Sequence, residues 1–219
     1  MKNIPRIFVG DNVQNGIIIP ADKSVSHYLT HVMRTHDFLA FGGGNEFSAH
    51  ISDDGKSIII GDKTAHQDPS NDITLYFSPI KHTDDLINMA TQMGVSNIVP
   101  VIMERTVAHH INWERMQKIA TEAAEQSNRN SVPKIHAPIT FAKLDLKNIC
   151  FADERFAYED KKSEQISENI KSVLVGPEGG FSDSEFAALD AAGAKPISLG
   201  KTILRAELAA AIAIGKLLK

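Results

Sequence analysis

The chain has 219 residues, 42% of them hydrophobic and 23% charged, which fits one large globular domain or two small ones. A formal net charge of -4 excludes a uniformly basic nucleic-acid binder, so any RNA contact needs a local cationic patch. There is no apolar run of about 18 residues to span a membrane. No signal-peptide core follows Met1, and the single Cys150 cannot form an internal disulfide. The expected setting is reducing and cytoplasmic, with no membrane association.

The first 60 or so residues read as β-rich. Short apolar pieces recur, "RIFV", "GIIIP", "FLAF", "EFSAHIS" and "SIIIG", separated by the turn signals "GGGN" and "DDGK". Asp54-Gly55 predicts a hairpin. One helical piece is expected from about Ser24 to Met33, and the strand set suggests a small barrel spanning residues 1–68. The polar stretch Asp62 to Asn71 reads as a linker.

From Asp72 the rhythm changes to strand-helix alternation. "ITLYF" and "NIVPVI" read as strands. Thr83 is placed to cap a helix ending at Gly94, and Asn112 to cap a second. "NICFA", "SVLVG" and "KPISLG" are further strands, with helices expected over Ser182–Ala192 and Leu204–Leu218. Such alternation over residues 72–219 predicts an α/β domain with a parallel sheet covered by helices on both faces.

Three segments carry chemistry. In "LVGPEGGFSDSEF", an apolar strand runs into Gly176, Pro177, Glu178, Gly179 and Gly180, and then into Ser182 and Glu185 at capping-box spacing. A glycine loop between a strand's C-terminal end and a helix start is where open α/β sheets bind ligands. The bland alternative is a tight Gly-Pro turn. No Gly-Lys-Ser/Thr is present, and Glu178 would repel phosphate. In "SLGKTILRAELAAAIAIGKLL", Leu199-Gly200 leads to a small, apolar helix suited to close packing against a neighbour or a partner subunit. Arg205 and Glu207 stand in its first turns, either as a solvated pair or as part of a site. In "EAAEQSNRNSVPKI", Glu122, Glu125, Gln126, Arg129 and Asn130 close a helix, and a plain polar helix end is the alternative. His27 and His31 can share a helical face but lack further ligands, so no metal is expected. His109-His110 is equally unspecific. Ser24, Ser26 and Cys150 have no activating partner for nucleophilic catalysis.

Together, and in this order, these segments resemble the RsmE-type 16S ribosomal RNA uridine N3-methyltransferases of the SPOUT superfamily. The resemblance covers essentially the whole chain, with "RIFV" and "HVMR" matching the amino-terminal pattern. It implies a PUA-like β-barrel that helps hold RNA, followed by an α/β domain with a trefoil knot. The knot loops would bind S-adenosyl-L-methionine in a homodimer acting on 16S rRNA or the 30S subunit. Carried over by position, the cofactor contacts are Gly176, Pro177, Glu178, Gly179, Gly180, Leu199, Gly200, Ile203 and Leu204, with another knot loop following Phe151 to Glu154. Arg205 would stabilise the uridine anion and Glu207 would orient it through a charge-assisted bond. Arg6, Arg34 and Arg129 would face RNA. The chain departs from the family pattern in having Lys201-Thr202 for Pro-Arg, Leu208 for Thr, Gln92-Met93-Gly94 for Glu-Leu-Gly and a shorter "VMRTHDFLAFGGG" segment. A non-catalytic RNA-binding assembly factor on the same fold is the alternative function, and a nucleotide-binding enzyme is a more distant one.

Overall fold

A computed structural model describes residues 4–68, 71–107, 111–158 and 166–218. The pair His109-His110 lies outside the described residues. By its internal contacts the chain divides into two units, Met1–Ser70 with Thr121–Val132, and Asn71–Ala120 with Pro133–Lys219. The return of 121–132 to the first unit corrects the expectation of a single boundary near residue 70.

The first unit is a five-stranded sheet of β1 (Arg6–Phe8), β2 (Ile18–Pro20), β3 (Asp37–Gly42), β4 (Asn45–Ile51) and β5 (Ser57–Lys63), in the order β1-β3-β4-β5-β2. β1 joins β3 in parallel, and the other pairs are antiparallel. Gly43-Gly44 turns β3 into β4, and the Ser52–Lys56 turn joins β4 to β5. Alternate residues point inward, as in Ile58 and Ile60 against exposed Ile59. They pack with Ile7, Leu29, Phe38, Phe47 and Ile51. The expected helix over Ser24–Met33 is two pieces. α1 (Lys23–His27) is capped by Asp22, and a π-helical turn over Tyr28–Met33 ends on Arg34 in the left-handed conformation. His27 and His31 do share a face, with rings stacked 4.8 Å apart.

Asp62 to Asn71 is not a plain linker where it is described. Asp62 and Lys63 belong to β5. Asp68 accepts from the Asn130 N–H at 2.7 Å, and Asn130 donates to the His66 carbonyl at 2.9 Å. Asn130 is fully buried, so each of these bonds satisfies a group that water does not reach.

The second unit is a seven-stranded sheet in which every pairing is parallel. Its strands are β6 (Thr74–Phe77), β7 (Asn97–Ile102), β8 (Lys134–Ile135), β9 (Ile139–Thr140), β10 (Cys150–Ala152), β11 (Ser172–Val175) and β12 (Lys195–Ile197). The order is β12-β10-β11-β6-β7-β8, with β9 also on β7. The helices are α2 (Thr83–Gln92), α3 (Trp113–Gln126, whose residues from Thr121 count with the first unit), α4 (Asp183–Ala192) and α5 (Ala206–Gly215). Among the described residues no helix is long and apolar enough to cross a membrane.

Local chemistry explains most of the helix ends. Ser182 and Glu185 form the reciprocal capping box, and Gly193 ends α4 in the left-handed conformation. Asn112 accepts from the Arg115 N–H at the start of α3. Thr83 does not cap α2, because its hydroxyl bonds back to the Ile80 backbone and His82 takes the cap position without a side-chain bond. α5 packs against α2 and against β6, β10 and β11 through Ala206, Ala209, Ala210, Ala213 and Ile214. Its small residues allow the close approach that the sequence suggested, and within this chain the neighbours are α2 and the sheet. α4 packs Leu189 onto Phe151 and Leu174 of the sheet.

Candidate functional site

A cavity of about 440 Å³ opens where adjacent parallel strands end. The loop after β10 contributes Ala152, Asp153, Glu154 and Ala157, and the loop after β11 contributes Gly176, Pro177, Glu178 and Phe181. The segment after β12 contributes Leu199, Gly200, Ile203, Leu204, Arg205 and Glu207, while His82 follows β6. Its size falls in the range of cofactor pockets, and the C-terminal ends of parallel strands are where open α/β sheets hold ligands.

The glycine loop is held from several sides. Gly180 donates to the Pro177 carbonyl at 2.9 Å, closing the turn. Arg105, just beyond β7, donates one guanidinium nitrogen to both the Gly179 and Phe181 carbonyls at 3.0 Å. The Phe181 ring is fully buried, edge-on to Phe151 at 5.8 Å, and directly beneath Gly176. Gly179 and Gly180 are not among the residues that line the cavity. They lie against Arg105 and Glu154 instead, and a Cβ at Gly180 would come within 2.1 Å of the Glu154 carboxylate. Below the loop, buried Glu185 accepts from the N–H groups of Ser182 and Glu104, both at 2.9 Å, tying the capping box to the end of β7.

The carboxylates differ in their surroundings. Asp153 is buried and makes a two-pronged ion pair with Arg155, which also reaches Asp190. These partners hold the Arg155 guanidinium charged, its pKa raised first by Asp190 and then by Asp153. Glu154 has its pKa raised by burial and by Asp153, against the opposing pull of Arg105, Arg155 and the Phe181 N–H. Glu178 accepts a long bond, 3.4 Å, from the Lys81 N–H.

Arg205 is the cap residue of α5 rather than part of its first turn, and it adds no side-chain cap. Among the described residues, Arg205 and Glu207 make no ion pair with each other, which corrects the expected orienting bond. The reason is geometric: residues two apart at a helix start do not face one another. Both still line the cavity, with Arg205 exposed at its wall.

The three arginines expected to face RNA separate. Arg34 is exposed. The Arg6 side chain is only 7% exposed: Nε pairs with Glu46 at 2.8 Å, Nη1 donates to the Ala124 and Glu125 carbonyls, and Nη2 to the Arg129 carbonyl and Asn130. A cation at the carbonyl end of α3 satisfies acceptors that the helix leaves open and opposes its dipole. Arg6 is therefore a structural clasp, because all its donors are engaged internally. Arg129, only 8% exposed, lies against Asp68 and Ser131, and burial lowers its pKa. The "EQSNRNS" segment thus organises the first unit. Arg105 and Glu104 are the contributors that the sequence reading passed over. The polar "ERT", one residue beyond the "NIVPVI" strand, is the available signal, at the same strand-end level as the glycine loop.

An α/β domain with a ligand cavity at its parallel strand ends, walled by a glycine loop and a helix start, is the class defined so far. Comparison with known proteins narrows it. An RNA methyltransferase domain model matches residues 66–218. The chain is 34% identical to the ribosomal RNA small subunit methyltransferase E of Rickettsia conorii, over 96% of this chain and 93% of that one. It is 30% identical to the protein of the same name from Synechocystis, over 87% and 69%. The crystal structure of the Neisseria gonorrhoeae ribosomal RNA small subunit methyltransferase E, bound to S-adenosyl methionine, superposes with a TM-score of 0.83 at 25% identity, covering 97% of this chain and 96% of that one. The chain belongs to this RNA methyltransferase family.

Proposed function

We propose that the protein is an S-adenosylmethionine-dependent methyltransferase that modifies N3 of a uridine in 16S ribosomal RNA. In this reading it works in the cytoplasm as a homodimer, on 16S rRNA or the 30S subunit. The first unit serves as a PUA-like barrel and the second carries a trefoil knot. Support for the knot is the convergence of the segments after β10, β11 and β12 on one cavity.

The single observation that carries the proposal is that cavity, because its donor set suits this cofactor. Val175, Leu199, Ile203, Leu204 and Ala209 offer apolar surface for a flat base, and Glu154, Glu178 and Glu207 suit hydroxyl donors and a cation. It also lacks the lysine that a triphosphate would need. Gly176, Pro177 and Glu178, backed by Gly179 and Gly180, would hold the cofactor together with Leu199 to Leu204. When bound, S-adenosylmethionine supplies an electrophilic methyl group on a sulfonium. The protein's task is alignment and charge stabilisation. Uridine N3 loses a proton as it gains the methyl, and the Arg205 cation near O2 or O4 stabilises the developing anion. Among the carboxylates that line the cavity, Glu154 and Glu178 are the candidates to take that proton, and burial raises the Glu154 pKa above the ordinary carboxylate value, which suits a base. The target base must leave its stack to reach them.

The test is transfer of tritiated methyl to 30S subunits lacking the modification. Wild type should label them, and Arg205→Ala should lose at least about 100-fold in rate, with cofactor affinity by calorimetry nearly unchanged. Turnover of Arg205→Ala near wild type would overturn the assignment of Arg205. Absence of transfer by the wild type would favour a non-catalytic assembly factor.

A further inference from the structure

The geometry points to a divalent transition-metal site on the first unit, formed by His36, His50 and Asp53 and oriented by Asp37. Their ligand atoms all lie within 4.8 Å of one another. None of the four stands at metal-motif spacing in the sequence. The fold assembles them: His50 is directly opposite Asp37 in the β3–β4 register, His36 precedes β3, and Asp53 opens the turn after β4.

The details fit a zinc-type ion. The two imidazoles are half-buried, and the Ile51 N–H bonds the His36 carbonyl at 2.9 Å, so the backbones carrying the ligands are fixed. His50 Nδ1 lies 2.9 Å from an Asp37 carboxylate oxygen. That bond leaves Nε2 as the free ligand atom and supplies the carboxylate partner that metal-bound histidines ordinarily have. His36 Nδ1 is 3.5 Å from Asp53 Oδ1, close to the ~3.3 Å between neighbouring ligand atoms around tetrahedral zinc. The turn bearing Asp53 is braced by Asp54, which accepts from the Ser52 hydroxyl and the Lys56 N–H. The Asp53 side chain is itself exposed and free to close the remaining gap. Two neutral imidazoles and a carboxylate form a donor set that suits zinc, nickel or copper better than calcium or magnesium. Water would complete the shell. Bound there, the ion would staple the start of β3 to the end of β4 and to the turn beyond.

The experiment is calorimetric titration of Zn²⁺ into the full-length, chelator-treated protein, with Co²⁺ absorption reporting coordination geometry. One equivalent should bind and should raise the melting temperature of the wild type. His36→Ala and His50→Ala should each weaken binding at least about 10-fold and abolish the thermal shift. Asp37→Asn should weaken it by about 10-fold through His50. His27→Ala, which breaks the other histidine pair, should leave binding unchanged. The melting temperatures of the metal-free variants check folding. No binding by the wild type would overturn the site and leave two ordinary His–Asp contacts. Binding that survives both His36→Ala and His50→Ala, or that His27→Ala removes, would also overturn it.

Discussion

Replacing Gly180 by alanine probes how the glycine loop is built. Gly180 has φ of +71°, and an added Cβ would sit 2.1 Å from Glu154 Oε1. Gly193, at the end of α4, has a nearly identical φ of +73° with no atom within 4 Å of its Cβ position. Both substitutions carry the cost of left-handed backbone for alanine, about 1 kcal/mol. Only Gly180→Ala must also displace Glu154 from the Phe181 N–H. Losing a charge-assisted bond at a half-exposed site adds about 1–2 kcal/mol. For a chain of this size the excess corresponds to about 2–8 °C in melting temperature. Scanning calorimetry on both variants measures it, and titration with S-adenosylmethionine should show weakened binding for Gly180→Ala alone. In Gly180→Ala combined with Glu154→Ala the excess should vanish relative to Glu154→Ala. Equal losses for Gly180→Ala and Gly193→Ala would refute the packing of Glu154 behind the loop.

Other outcomes follow from the same site and core. Burial raises the Glu154 pKa, so the native state holds that proton more tightly than the unfolded chain. Stability is therefore lost as pH rises from the ordinary carboxylate range through the raised value. Glu154→Gln should gain stability relative to wild type at neutral pH, and the gain should shrink near pH ~4, as thermal unfolding at both values would show. Arg105→Ala removes both carbonyl bonds of the loop clamp and should weaken S-adenosylmethionine binding about 10-fold, or about 1.4 kcal/mol, by calorimetry. Cys150 is fully buried and its thiol is pushed up to about 12. A thiol-disulfide reagent at mildly alkaline pH should leave the native protein unlabelled and modify one thiol after unfolding.

The second unit was largely legible because its signals are local. Strand runs such as "SVLVG", the Ser182–Glu185 pair and Gly193 each specify their own conformation, and the strand-to-helix position of Gly176 placed the cavity. β8 and β9, two residues each, are too short to show a period. The arginines were less legible, since a charge on a strand reads as solvent-facing until its partners are known. Apart from Glu46, Arg6 finds its acceptors more than a hundred residues away, at and just beyond the end of α3. Arg105 is marked only by the polar "ERT" beyond its strand, and its role depends on parallel pairing that brings the ends of β7 and β11 to the same side of the sheet. The His36, His50 and Asp53 grouping depends likewise on hairpin register.

The site and identity of the transferred methyl group are read in the RNA product. 16S rRNA from cells deleted for this protein, then methylated in 30S subunits by the purified enzyme with S-adenosylmethionine, can be digested and mapped by mass spectrometry. One new N3-methyluridine should be gained with the wild-type protein and be missing with Arg205→Ala. A methyl group on a ribose, on another base or on another ribosomal RNA, or no new methyl group at all, would contradict the proposed N3 methylation.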